Sequence, residues 1–301
     1  MEKKKYFLGV VLVIISAVLW GVDGVILTPR LFNLPVPFVV FLLHLLPFVL
    51  MSIFFYKEFS HLKNFTKKDY IGFGLIALFG GALGTIAIVK ALFLVNFQSL
   101  TIVVLLQKLQ PIFAIVLARI ILKEKVTKKF LPWTILALVA GYFMTFSLET
   151  PTLSGENYMF ASFYAILAAF SFGSATVFGK FVLNRWSFKT ALFYRYAFTT
   201  LLMSVIVLFL GGADFLAVTK VNWIILIIIT FTTGAFAIAL YYYGLKLISA
   251  QVATMCELAF PISSAILDYF INKTILSPIQ WIAAVAMLFA IFKVTKTQKI
   301  D

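Results

Sequence analysis

Asp23, His44, Lys108, Arg195 and Glu257 each fall inside a long apolar run of the chain. A charge in hydrocarbon costs several kcal/mol unless it is paired or faces water, so an ionisable residue in such a run points first to function. Lys108 sits near the middle of its run, too far from either end for its ammonium to snorkel, with Thr101 and Arg119 on the same helical face. Such a cation suits the carboxylate of a solute; the alternative is an internal tie to Glu257 or Asp23. Glu257 leads a stripe with Pro261, Ser264 and Asp268, beside Ala250 and Ala253. A stripe of this kind lines water or a close helix neighbour. Its carboxylate can carry a proton or hold a substrate ammonium group. Asp23 follows Trp20-Gly21 and shares a face with Ser16; pairing with Lys90 is its structural alternative. His44 can sit neutral in a bundle with one partner, and Arg195, near the start of its run, is expected to snorkel to the interface. Gln107 stands four residues before Pro111, as Glu257 stands four before Pro261. Each proline removes a backbone donor and frees a carbonyl, which makes both positions candidate kinks or gates. Most of the aromatic side chains, including Tyr241-Tyr242-Tyr243, read as lipid contacts and interface belt, with Trp20, Phe172 and Tyr194 as candidate cavity walls.

The elements that position these residues must be membrane-spanning helices. The chain has 301 residues, is 63% hydrophobic and 12% charged, and has a mean hydropathy of +1.07. Its polar residues could not cover a soluble globule of this length. Apolar runs of about twenty residues match the length a helix needs to cross the hydrocarbon, and runs such as 102–106 and 224–229, apolar on every side, exclude a β-barrel. Ten spans are expected, at 7–28, 36–56, 69–90, 97–119, 130–148, 158–180, 189–210, 221–243, 249–271 and 277–294. Lys3-Lys4-Lys5 before the first run resembles a signal peptide, but Trp20 and Asp23 occupy the place of a cleavage site, and the run is read as an uncleaved first helix. The formal charge of +14 sits in short hydrophilic gaps, which makes it a topology signal and not a nucleic-acid surface. A cytoplasmic N-terminus puts Lys57, Lys63, Lys67, Lys68, Lys123, Lys125, Lys128, Lys129 and most other cations inside, and leaves Arg30, Lys220 and Lys273 outside. With one cysteine, Cys256, and two histidines, neither a disulfide framework nor a His/Cys metal site can be assembled, and no cofactor is expected.

The chain also matches itself. Ser99 to Pro111 aligns with Ser249 to Pro261, and Trp20-Gly21 aligns with Phe172-Gly173. An odd number of helices per repeat inverts the second copy, so the fold class expected is an all-α membrane protein of two inverted five-helix repeats, with both termini cytoplasmic. The first repeat is 1–148, an external linker is 149–157, and the second repeat with a short tail is 158–301.

At these residues the sequence resembles the drug/metabolite transporter superfamily, specifically its EamA-type ten-helix members. The resemblance rests on Trp20-Gly21 in the first helix, Arg195 in the second helix of a repeat, Gln107/Pro111 and Glu257/Pro261 in the fourth helices, and the acidic Glu124 closing helix four. His44 replaces the arginine in the first half, and Asn272, Lys273 and Thr274 replace the acidic loop motif in the second. What the resemblance implies is a transporter of small metabolites or drugs in the cytoplasmic (inner) membrane, driven by the substrate gradient or by protons.

Together these readings predict a secondary transporter, expected to export amino acids, that alternates access around a central cavity. Lys108 would take a carboxylate and Glu257 or Asp23 an amine. A carrier or flippase of a lipid-linked or nucleotide-type substrate is the alternative. A membrane-embedded enzyme would need paired carboxylates, a His–Asp motif or a catalytic loop, and a sensor would need a signalling appendage. The expected partners are a small-molecule substrate, membrane lipids and a coupling proton, with no nucleic acid. Gly80 and Gly84 would serve packing within a monomer or across a homodimer.

Overall fold

Each apolar run folds as a helix because, in hydrocarbon, every backbone N–H and C=O must be paired within its own segment. The computed structural model describes residues 2–94, 103, 106–148, 156–210, 214–271, 273 and 275–297. Thr101, Asn272, Thr274 and residues 149–155 of the expected linker lie outside them.

The helices are α1 (Glu2–Val22), α2 (Val36–Phe54), α3 (Lys67–Leu75), α4 (Gly84–Leu94), α5 (Gln110–Leu117), α6 (Leu131–Phe146) and α7 (Glu156–Leu183). They continue with α8 (Phe188–Leu210), α9 (Lys220–Phe231), α10 (Ala235–Leu247), α11 (Ala250–Cys256), α12 (Ala259–Ile271) and α13 (Pro278–Thr297). Wider π turns at Asp23–Leu27, Ile76–Leu83 and Ala118–Leu122 extend α1, join α3 to α4 and end α5. Among the described residues, eight continuous helical runs are long and apolar enough to cross a membrane. Two shorter apolar helices, Gln110–Leu122 and Leu131–Phe146, overlap the expected spans 97–119 and 130–148.

Packing follows a pattern of exchange. α1 lies against α10 and α12, while α7 lies against the α3–α4 run and α5. α2 pairs with α8, and α6 pairs with α13. Small residues set the closest seams. A Cβ on Gly244 of α10 would come within 2.7 Å of the Gly9 carbonyl oxygen of α1, and one on Gly80 within 2.8 Å of Ala175 Cβ on α7. Gly80 and Gly84, the latter against Phe172, therefore pack helices inside the chain.

Polar ties fix the helix ends. Asp69 caps α3 through Thr66 and receives Arg185 at 2.9 Å and the Trp186 indole N–H at 2.8 Å, so the α7–α8 turn is fastened to the start of α3. The Tyr6 hydroxyl donates to the Thr295 carbonyl at 3.0 Å, which brings the beginning of α1 and the end of α13 to the same end of the bundle. At the opposite end Asn33 and Asn222 bond reciprocally at 2.9 and 3.0 Å.

Candidate functional site

The two polar-x3-Pro segments are where helices break. Pro261 cannot donate to the carbonyl four residues earlier, that of Glu257, and the chain tightens there, with Phe260 N donating to Glu257 O at 3.0 Å. α11 stops at Cys256 and α12 begins at Ala259. The same occurs before Pro111: Leu109 N bonds Leu106 O at 3.1 Å, Ile112 N bonds Leu109 O at 3.0 Å, and α5 starts at Gln110. Gln107, Lys108, Gln110 and Pro111 on one side face Thr254, Glu257, Leu258 and Pro261 on the other across a cavity of about 30 Å³. That is room for a water or two. It does not hold an organic solute.

Glu257 is the hub. Its Oε1 accepts from the Tyr241 hydroxyl of α10 at 2.7 Å and from Thr176 Oγ1 of α7 at 3.1 Å, while its Oε2 accepts from Gln110 Nε2 of α5. Thr176 and Tyr241 are themselves 2.8 Å apart. A carboxylate withdrawn from bulk water is tolerable when its lone pairs are met by donors in this way. Trp20 of α1 lies against Tyr241 with ring centroids 5.3 Å apart. Beyond it Arg195 of α8 crosses to Tyr242, donating from NH1 to the hydroxyl at 3.3 Å with its guanidinium 5.5 Å from the ring centroid. Arg195 Nε is buried without a hydrogen-bond partner among the described residues. Among the described residues no ion pair joins it to Glu257. The result is a cation, a carboxylate, an amide and an aromatic wall drawn from α1, α5, α7, α8 and α10–α12.

Several sequence expectations change here. Lys108 is not tied to Glu257 or Asp23: its ammonium is buried and donates to Thr145 Oγ1 at 2.8 Å and to the Gly141 carbonyl at 3.4 Å, both on α6. Asp23 accepts from Thr28 at 2.9 Å and from Thr233 at 3.0 Å, while Lys90 is exposed over the Tyr164 ring. Arg195 does not snorkel, because Gly80, which has no side chain, leaves room for the guanidinium to turn inward. His44 is buried against Tyr196, with Nδ1 2.8 Å from the Val40 carbonyl oxygen. Tyr194 is no cavity wall, since its hydroxyl donates to the Glu58 carbonyl at 2.9 Å. Phe172 packs on Gly84.

Gln110, Thr176 and Thr145 were not singled out from sequence, and Tyr241 and Tyr242, read there as lipid contacts and interface belt, are buried inside the bundle. Gln110 had a visible signal, as the residue directly before Pro111 in the repeat match; the hydroxyls had none beyond their presence in apolar runs. Glu124 has a sharper role than its motif suggested. Its carboxylate accepts from Ala250 N at 2.8 Å and Gln251 N at 3.1 Å, capping α11 from the other half of the chain. Beside it Lys180 Nζ donates to the Leu245 and Lys246 carbonyls at 2.9 and 3.1 Å. The α10–α11 joint is thus held from both sides.

The sequence profile of the EamA-like transporter family matches residues 7–147 and 159–295. The chain belongs to that family. This EamA-like transporter is 57% identical over 291 residues, 96% of its length and 97% of the relative's, to the "Riboflavin transporter ImpX" of Fusobacterium nucleatum subsp. nucleatum. A solved crystal structure covers 96% of this chain and 96% of its own at a TM-score of 0.69 and 14% identity, which speaks for the fold alone. The EamA-like transporter is accordingly a multi-pass membrane protein that moves a small molecule and is not an enzyme.

Proposed function

We propose that this transporter carries riboflavin or a close flavin relative across the cytoplasmic membrane by alternating access. The observation that carries the reading is the 57% identity, over nearly the full length of both chains, to a relative named a riboflavin transporter. The site chemistry supports it. An isoalloxazine ring has large apolar faces and a pyrimidinedione edge with one N–H donor and two carbonyl acceptors. Trp20 and Tyr241 offer aromatic surface, Glu257 accepts a ring N–H, and Gln110 and the unpartnered Arg195 N–H serve the carbonyls. The zwitterion reading needed Lys108 for a carboxylate and Glu257 or Asp23 for an amine, and with Lys108 turned to α6 a flavin suits the remaining groups better than an amino acid.

The membrane arrangement we favour is ten crossings as two inverted repeats, with the lysine-rich end in the cytoplasm. The two matched stretches, 7–147 and 159–295, and the exchanged packing of α1 with α10 and of α7 with α3–α4 support it. Substrate entry then requires α5 and the α11–α12 break to part at Pro111 and Pro261, while Glu124 and Lys180 release the α10–α11 joint at the cytoplasmic end. Glu257 is the candidate to carry a coupling proton. Net direction follows the substrate or proton gradient, so export and uptake are two directions of one cycle.

The test is counterflow of labelled riboflavin in proteoliposomes with unlabelled riboflavin or an amino-acid mixture as competitor. Saturable exchange blocked by riboflavin alone supports the reading. Absence of flavin exchange by folded protein, or exchange of amino acids instead, overturns it.

A further inference from the structure

At the lysine-rich end of the bundle, sharing no lining residue with the cavity between the two helix breaks, a cleft of about 540 Å³ opens between the start of α6 and the end of α13. Lys128 and Lys129 come to it from the turn before α6, and Lys293 and Lys296 from the last turns of α13, with Pro132 and Trp133 forming part of the wall. Among the described residues, no acidic side chain lines it. Lys293 Nζ lies 5.5 Å from the Trp133 ring centroid and 5.1 Å from that of Phe289, and Lys296 Nζ lies 4.2 Å from that of Phe292. Aromatic faces thus hold two of the ammonium groups near the cleft instead of leaving them to sweep through solvent. Lys128 and Lys129 are exposed and make no ion pair among the described residues. Four cations around one concavity repel each other, an arrangement that an anion relieves.

The outward faces of the same helices show what kind of anion fits. Ile135 and Val139 of α6 are 53% and 47% exposed, and Val285 and Phe289 of α13 are 64% and 47% exposed. A polar cleft continuous with two exposed apolar stripes matches a molecule with an anionic head and acyl tails. We propose that this cleft binds an anionic phospholipid, with the four lysines on a headgroup of two phosphodiesters and the acyl chains along α6 and α13. Basic pockets between transmembrane helices bind such headgroups on general electrostatic grounds. The two helices bridged belong to opposite halves of the chain, so a bound lipid clamps the α6–α13 pair while the substrate-facing helices move.

The experiment is native mass spectrometry of the full-length protein in detergent, titrated with tetraoleoyl cardiolipin, with dioleoyl phosphatidylcholine, and with glycerol phosphate as a competitor. One cardiolipin retained in preference to phosphatidylcholine, weakened about fivefold for each lysine removed in Lys293→Gln and Lys296→Gln and restored by Lys→Arg at the same positions, is the expected result. Lys63→Gln with Lys67→Gln, at another part of the basic surface, should leave it unchanged. Equal retention of both lipids, an equal loss in the Lys63/Lys67 control, or displacement by glycerol phosphate at the lipid's own concentration overturns the proposal. Thermal melting of each variant in lipid-free detergent separates loss of binding from loss of fold.

Discussion

The Tyr241 hydroxyl donates to Glu257 Oε1 at 2.7 Å, joining α10 to the break between α11 and α12. With Thr176 and Gln110 on the same carboxylate, four segments from both halves of the chain converge on one side chain. A group so placed controls how those segments can part, whatever solute passes between them.

Glu257→Gln should therefore impair transport more than folding. The amide keeps one acceptor but turns the other oxygen into a donor that faces Gln110 Nε2 or the hydroxyls of Tyr241 and Thr176, and a donor left unmet inside costs about 1–3 kcal/mol. Exchange in proteoliposomes should fall about tenfold or more, the rate equivalent of such a loss in the cycle. Tyr241→Phe, which removes one donor and leaves the carboxylate its other two, should cost about 1 kcal/mol of stability and a smaller part of the rate. Equal transport by wild type and Glu257→Gln at every pH would remove Glu257 from the mechanism.

Lys108 and Glu257 should behave independently. Both border the cavity of about 30 Å³, but the ammonium is directed to Thr145 and Gly141 and the carboxylate to Tyr241, Thr176 and Gln110. A double-mutant cycle of Lys108→Met with Glu257→Gln, read by unfolding in mixed micelles, should give a coupling energy below about 0.5 kcal/mol. The cycle of Lys108→Met with Thr145→Val should give about 1 kcal/mol or more. A large first coupling would mean that the two charges pair after all.

The helices and the special residues were legible in the sequence to different degrees. Apolar runs of about twenty residues announce themselves, and the expected spans lie within a few residues of Val36–Phe54 and Phe188–Leu210. The prolines marked both helix breaks because the missing N–H is a local property. Partners were harder. For Asp23 the structural alternative was a pairing with Lys90, yet it is met by Thr28 and Thr233, the second from a different half of the chain. Charge attraction is visible in a sequence, whereas a hydroxyl brought in by tertiary packing is not. Arg195 was misread for the same reason: its inward turn depends on the space beside Gly80, more than a hundred residues away in the chain.

Glu124 should act as a latch at the lysine-rich end. Its carboxylate holds the first two N–H groups of α11, and the last residue of that helix is Cys256, the chain's single cysteine, with no exposed surface. Losing a cap of this kind costs about 1 kcal/mol, so Glu124→Ala should raise the rate at which a water-soluble maleimide labels Cys256 by about fivefold, the population equivalent of that loss. Lys63→Ala, which leaves the α10–α11 joint untouched, should label at the wild-type rate. Unchanged labelling in Glu124→Ala would show that opening does not pass through this contact.

The seam between α1 and α10 gives a test by contrast between two glycines. A methyl group on Gly244 would stand 2.7 Å from the Gly9 carbonyl oxygen and 2.8 Å from Val13 Cγ2, while one on Gly74 of α3 meets nothing within 4 Å. The obstacle at Gly244 includes backbone, which cannot rotate aside, so the two helices must move apart. Gly244→Ala should destabilise the protein by about 1–3 kcal/mol. Gly74→Ala should be neutral or stabilise by up to about 1 kcal/mol, because alanine has less backbone freedom to lose on forming a helix than glycine. Thermal melting in detergent reads both. Flavin exchange reads the seam's part in the cycle: if α1 and α10 move as one rigid pair, Gly244→Ala protein that remains folded keeps its exchange rate, and if they slide against each other, the rate falls with the stability.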